Sequence, residues 1–207
     1  YTLACKYAFL TLAVLAFPFI LEMDYILKIW LKDVPEWAVL FAQLVLIQSL
    51  LGLLISTYVI SLEAEGDIAL YNKVRSISNI VPIVLLIIVF MNGASPVMLF
   101  VIRIVWNGVV SACITLFFMN RNCGMRYSTF LQGVLLPVGA VTATSIILGS
   151  VSLVLMEASF LRLVITAVMT IIGFTLSYWY LATKEYERNM IKNVAMILWK
   201  KIGYITH

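Results

Sequence analysis

Charge is scarce in this sequence. Asp, Glu, Lys and Arg make up 12% of its 207 residues, about half the share of an ordinary soluble domain. Histidine is scarcer still. The single one is the last residue, His207, so histidine-based acid–base or metal chemistry is excluded from nearly all of the chain. The three cysteines, Cys5, Cys113 and Cys123, are odd in number and far apart; neither a disulfide framework nor a metal-ligand spacing can be drawn from them. There is no Gly-rich phosphate loop, no HExxH or CxxC pattern and no nucleophile–base pair, so an enzyme is not expected, and neither is a cofactor or a metal. The acidic turn Glu63-Ala64-Glu65-Gly66-Asp67 reads as a solvated loop and not as a catalytic cluster. A net charge of +4 is too slight for a nucleic-acid surface and suits anionic lipid headgroups.

What the sequence has in abundance is apolar surface. Hydrophobic residues form 63% of it and the mean hydropathy is +1.06. A water-soluble core cannot hide that much, so lipid must be the solvent for much of the chain. A bilayer core about 30 Å thick takes roughly 20 apolar residues as helix. Six stretches approach that length: Tyr7 to Leu21, Trp37 to Leu62, Leu70 to Met91, Val97 to Met119, a run within Tyr127 to Met156, and Phe160 to Thr183. They lack the polar stripes of a soluble bundle. The breaks are Glu63–Asp67, Asn92-Gly93-Ala94-Ser95-Pro96, Asn120–Gly124 and Glu157-Ala158-Ser159, all with turn chemistry. The expected fold is all-α: a polytopic transmembrane bundle of six spans over residues 1–183, followed by a cytoplasmic amphipathic tail over 184–207. In the tail Met190, Ile191, Val194, Ile197, Leu198 and Ile202 recur at helical spacing between basic residues, the pattern of an interfacial helix. The chain opens Tyr1-Thr2-Leu3 and is expected to be a piece of a longer polytopic protein.

Basic residues set the orientation. Lys6, the turn with Lys73 and Arg75, the turn with Arg121 and Arg126, and the tail fall on one side. The other side holds Lys28, Lys32 and Arg162 with an acidic first hairpin of Glu22, Asp24, Asp33 and Glu36. The basic side is therefore expected to be the cytoplasm, with both chain ends inside. Trp30 and Trp37 flank the outer hairpin, and Tyr178, Trp179 and Tyr180 sit near the inner end of the last span, where amphipathic rings prefer headgroup depth.

Within the spans, polar residues are few enough to take one at a time. Gln48, Gly52 and Ser56 share a helix face, as do Thr166, Thr170, Gly173 and Ser177; the fifth span carries Gly133, Gly139, Ala140, Ala143 and Gly149. Such small-residue faces are expected to seat helices against each other. Pro82 and Pro137 interrupt spans and are candidate hinges. Arg103 stands inside the fourth span, roughly 10 Å from its outer end at 1.5 Å per residue. Asn107, Ser111 and Thr115 follow it at four-residue steps. Two readings fit: an arginine snorkelling to the interface, or one lining a wet cavity that receives an anion, for which its planar fork is suited. In the second reading Arg103, Asn107 and Ser111, with Gln43 and Gln48 of the second span, are the candidate substrate-binding residues. No carboxylate lies deep in any span, the nearest being Glu63 at the cytoplasmic edge, so no proton or sodium site is advertised.

Several stretches resemble one family. Ile26-Leu27-Lys28-Ile29-Trp30-Leu31-Lys32-Asp33-Val34-Pro35-Glu36 is similar to the ILxLWLxxxPE outer hairpin of bacterial oligosaccharide flippases of O-antigen and capsule assembly. Ala64-Glu65-Gly66-Asp67-Ile68-Ala69-Leu70-Tyr71 resembles their ATGxIxxY cytoplasmic turn, with Glu65 where threonine is common and Asp67 where a base is common. Lys6-Tyr7 resembles the sKYsfflL start of the preceding helix. The resemblance implies a two-lobe transporter of twelve to fourteen spans, of the superfamily that also holds multidrug antiporters and the lipid II flippase. This chain would be its C-terminal lobe. It implies residence in the bacterial inner membrane and movement of undecaprenyl-diphosphate-linked repeat units across it by alternating access. The partners would be the missing N-terminal lobe, membrane lipid, the lipid-linked glycan and other polysaccharide-assembly proteins. Arg103 as receiver of the diphosphate rests on its chemistry and not on a motif position. The competing expectations are a multidrug or cation antiporter of the same fold, and a non-transporting scaffold or polymerase subunit.

Overall fold

The computed structural model describes residues 2–66 and 68–183. The expected tail helix lies outside the described residues. Every described element is helical. Six helices are long and apolar enough to cross a membrane: α1 (Thr2–Leu21), α3 (Ala38–Glu65), α4 (Ala69–Met91), α5 (Val97–Cys123), α6 (Tyr127–Leu155) and α7 (Phe160–Leu181). A short seventh, α2 (Met23–Trp30), joins α1 to α3. The chain therefore has the all-helical character of a multi-pass membrane protein, as the six apolar runs predict.

Helix limits run past the apolar runs. α1 starts at Thr2 instead of Tyr7, and α3 continues to Glu65 instead of Leu62. Backbone hydrogen bonding does not stop where hydrocarbon does; it stops where a residue leaves the helical conformation. Gly66 after α3 and Gly124 after α5 do so in the left-handed region, the ordinary glycine terminator. Asn92 ends α4, its amide donating to the Ile88 carbonyl at 2.7 Å. Ser159 opens α7, its hydroxyl accepting from the Arg162 amide at 3.2 Å.

The connection between α1 and α3 contains the element that sequence reading missed. In α2, Met23 and Leu27 are buried, Asp24 and Lys28 pair at 2.6 Å with both side chains more than half exposed, and Ile29 and Trp30 are exposed. The i, i+4 spacing of each pair makes α2 amphipathic, suited to lying along an interface.

α1 and α3 pack on each other at the centre. α6 and α7 form the closest pair and lie against α1; α5 packs on α3, and α4 chiefly on α5. Aromatic rings fill the core at the end where α1 begins. Tyr58 meets Phe130 at 5.5 Å between centroids and Tyr71 meets Phe118 at 5.4 Å, both edge-on. Pro137 follows a π-helical turn at Leu131–Leu135 in α6, a wider turn that accommodates the ring and the missing N–H. Pro82 sits within α4 without a break.

The small residues of α6 and α7 do bring these helices into close contact. A Cβ on Gly149 would stand 2.6 Å from the Thr170 hydroxyl and from the Leu21 side chain, and one on Gly173 would stand 2.7 Å from Leu148. Gly139 has nothing within 4 Å and takes no part. Hydroxyls close the seam: Thr144 donates to Ser177 at 2.6 Å, and Ser152 lies 2.7 Å from Thr166.

At the end of this seam where α7 begins is an ion pair. Glu22 and Arg162, expected as solvated charges of the outer loops, are joined. Glu22 is 1% exposed. The Arg162 Nε and Nη2 donate to its two carboxylate oxygens at 3.0 and 2.8 Å, a paired fork, and Thr166 donates to it at 2.8 Å. The pair fixes the α1–α2 corner to the start of α7, so those two lie at the same end of the bundle. Removing one partner from a buried pair strands the other charge. Glu22→Ala or Arg162→Ala is expected to lower the unfolding free energy in micelles by about 3–5 kcal/mol. The Glu22→Leu/Arg162→Leu double variant should lose less than the sum, and additive losses would show that the two charges are not coupled.

Candidate functional site: a polar cleft between α3, α4 and α5

Two adjoining pockets of about 440 Å³ each lie along α4 and α5. The first is lined by Gln48, Gly52 and Ser56 of α3, Arg75 and Asn79 of α4, and Asn107 and Ser111 of α5. The second is lined by Asn79, Pro82, Ile83 and Leu86 of α4, with Arg103 and Asn107 of α5. Asn79 and Asn107 belong to both, so the pockets form one continuous cleft.

The local fold explains why these side chains meet. On α3, the Gln48, Gly52 and Ser56 face is one turn apart at each step; expected to pack on a neighbouring helix, it lines the cleft instead. Gly52 would accept a Cβ with nothing within 4 Å, which excludes helix contact there. On α5, a π-helical turn at Trp106–Val110 carries Asn107. Such turns insert one extra residue and recur at functional sites. Next to it Gly108 brings the backbone near α3, since its Cβ would lie 3.2 Å from Leu51. The indole N–H of Trp106, in the same turn, is buried and has no hydrogen-bond partner among the described residues. Opposite the polar row of α5 stand Val101, Val105 and Val109, all exposed, the face for lipid.

Arg75 and Asn79 are polar cleft residues of α4 that sequence reading missed. Counted with the cytoplasmic turn, Arg75 stands inside α4, two turns from its start, and its guanidinium lies 5.9 Å from the centre of the Tyr71 ring. Tyr71 is itself fully buried, with its hydroxyl 3.2 Å from that of Thr115. Thr115, the last step of the predicted polar stripe, therefore supports the tyrosine beneath the cleft and does not line it. The signal that could have found Arg75 is its four-residue spacing to Asn79 on an otherwise apolar helix.

Gln43 is not in the cleft. Its amide donates to the Ile20 carbonyl at 2.8 Å, tying α3 to the end of α1. Gln48, Asn107 and Ser111 meet in the first pocket, Arg103 and Asn107 in the second, and Pro82 is in the wall of the second. Pro137 is in α6, away from this lining.

The electrostatics of the cleft are one-signed. Neither Arg75 nor Arg103 forms an ion pair with a described carboxylate, and no carboxylate is in either lining. This contrasts with Arg162, whose every described contact is spent inside the protein. A cation at bilayer depth is tolerated in water or beside an anion and is costly in lipid. The cleft can therefore hold water and an anion, with one guanidinium group in each pocket and the two shared amides between them. Because Arg103 has no ion-pair partner among the described residues, Arg103→Leu is expected to leave the unfolding midpoint unchanged or raise it, against the loss expected for Arg162→Ala. An equal loss in both variants would show that Arg103 has a structural partner.

No family model, no curated protein and no solved structure matches this chain.

Proposed function

We propose that this chain is one lobe of a transporter that moves a polyprenyl-diphosphate-linked oligosaccharide across the bacterial inner membrane for surface polysaccharide assembly. The observation that carries the reading is the cleft whose two arginines, Arg75 and Arg103, form no ion pair with a described carboxylate, and whose described walls hold no carboxylate. An amphipathic lipid poses the matching physical problem. Its diphosphate and sugars need a polar route, while its prenyl chain prefers to stay in hydrocarbon. A cleft that opens sideways between helices would allow both at once.

The same cleft argues for a second bundle. Asn79 and Arg103 are exposed along it, and a polar face cannot rest against lipid tails without cost. A facing lobe, here taken as the N-terminal half of the same transporter, would close the cleft into a cavity. Rocking of the lobes would then switch access from one leaflet to the other. The basic loops are assigned to the cytoplasm by the positive-inside rule. Other polysaccharide-assembly proteins are the natural partners at the membrane. A drug or cation antiporter would be expected to present acidic groups in this cleft, and its described lining presents basic ones.

The test is genetic and chemical. Deleting the gene is expected to abolish the surface polysaccharide and to build up lipid-linked oligosaccharide in the cytoplasmic leaflet. Intact protein should restore export, and Arg103→Leu should restore it poorly. Normal surface polysaccharide in the deletion strain would contradict the proposal.

A further inference from the structure

Resting on the anionic cargo proposed above, we infer that Arg75 and Arg103 are two successive stations for one phosphate-bearing group, with Asn79 and Asn107 as the passage between them. The alternative geometry is a single clamp in which both guanidiniums grip the anion together; the two line different pockets of the cleft.

Arg75 lines the first pocket and not the second; Arg103 lines the second and not the first. On α4 Arg75 stands one turn from Asn79, and on α5 Arg103 stands one turn from Asn107, so each cation has its own end of the cleft. Between them are the two asparagines common to both pockets, neutral amides that offer donors without a charge to trap the anion.

The two stations also differ in kind. Arg75 is half-buried over the ring of Tyr71, and Tyr71 is anchored to Thr115, so this guanidinium is held in place at the end of the cleft nearer the basic loops. Arg103 is exposed, beside Pro82 and the apolar Ile83 and Leu86, nearer the outer hairpin side. A held site for capture and a freer site for release are what a moving anion needs. Binding at any single point must be weak enough to leave.

The experiment measures binding to the intact transporter in detergent micelles. Its probes are farnesyl diphosphate, inorganic diphosphate and farnesol, and its variants are Arg75→Gln, Arg103→Gln and the double variant. Two stations predict that each single variant still binds farnesyl diphosphate, the weaker of them by roughly tenfold. The double variant should bind none, and farnesol should not bind in competition. A single variant as crippled as the double one would mean one clamp and overturn the inference; so would single variants that bind like the wild type. Lys variants at the two positions keep the charge without the paired donors and guard against misfolding of a Gln variant. Each should bind between wild type and the double Gln variant, and a Lys variant that binds nothing would overturn the inference. Inorganic diphosphate bound as well as the prenyl form, with the same variant pattern, would leave the two stations standing and remove the lipid cargo. No diphosphate bound by folded wild-type protein would remove both.

Discussion

In hydrocarbon a polar side chain has no water to fall back on, so it must be satisfied by another part of the protein or sit in a crevice that admits water. This constraint sorts the polar residues of the chain into two groups. One group lies in the seam between α6 and α7. There Glu22, Arg162, Thr166 and Ser152 spend their hydrogen bonds on each other, and glycines let the backbones close around them. The other group lies between α3, α4 and α5. There Arg75 and Arg103 find no anion within the described chain, and Asn79 and Asn107 stand between them. The first group holds the bundle together. The second is polar surface kept at a cost, which is the mark of a working site.

The difference between the groups also accounts for the shape of the bundle. α1 and α3 are tied at several depths, by Cys5 donating to the Leu54 carbonyl and by Gln43 donating to the Ile20 carbonyl. α6 and α7 are tied by hydroxyls and close glycines. α4 has one fully buried anchor, Tyr71, and apolar side chains such as Ile80, Ile83, Val84 and Ile87 exposed along its length. Pro82 lies in that exposed stretch, whereas Pro137 follows a π-helical turn. Of the two candidate hinges, Pro82 is the one beside the cleft.

Much of the architecture was legible in the sequence because bilayer thickness imposes a length on each apolar run, and the six runs stand out against charged turns. The polar row Arg103, Asn107, Ser111 was legible for the same reason, as rare residues at helical spacing. What sequence could not reveal was partnership. Glu22 and Arg162 are 140 residues apart in sequence and read as ordinary loop charges until the fold joins them. Arg75 reads as a positive-inside residue because it is near the start of a span, and only the packing of α4 beside α5 puts it in the cleft. Gln43 and Gln48 share one helix but serve different neighbours, and spacing alone did not separate them. The short helix α2 was hidden by its length, since eight residues give too few turns for a periodic signal.

The central claim is that the polar row of α5 faces water while its opposite face meets lipid. It is tested most directly by placing a nitroxide spin label in turn at each position from 101 to 111 of the reconstituted protein. Collision rates with oxygen, which partitions into lipid, and with a water-soluble nickel chelate are then measured. The account predicts nickel maxima at positions 103, 107 and 111 and oxygen maxima at 101, 105 and 109, out of phase along the helix. Oxygen maxima at 103, 107 and 111 with little nickel contact would mean that the row faces hydrocarbon, and the cleft would then be no route for an anion.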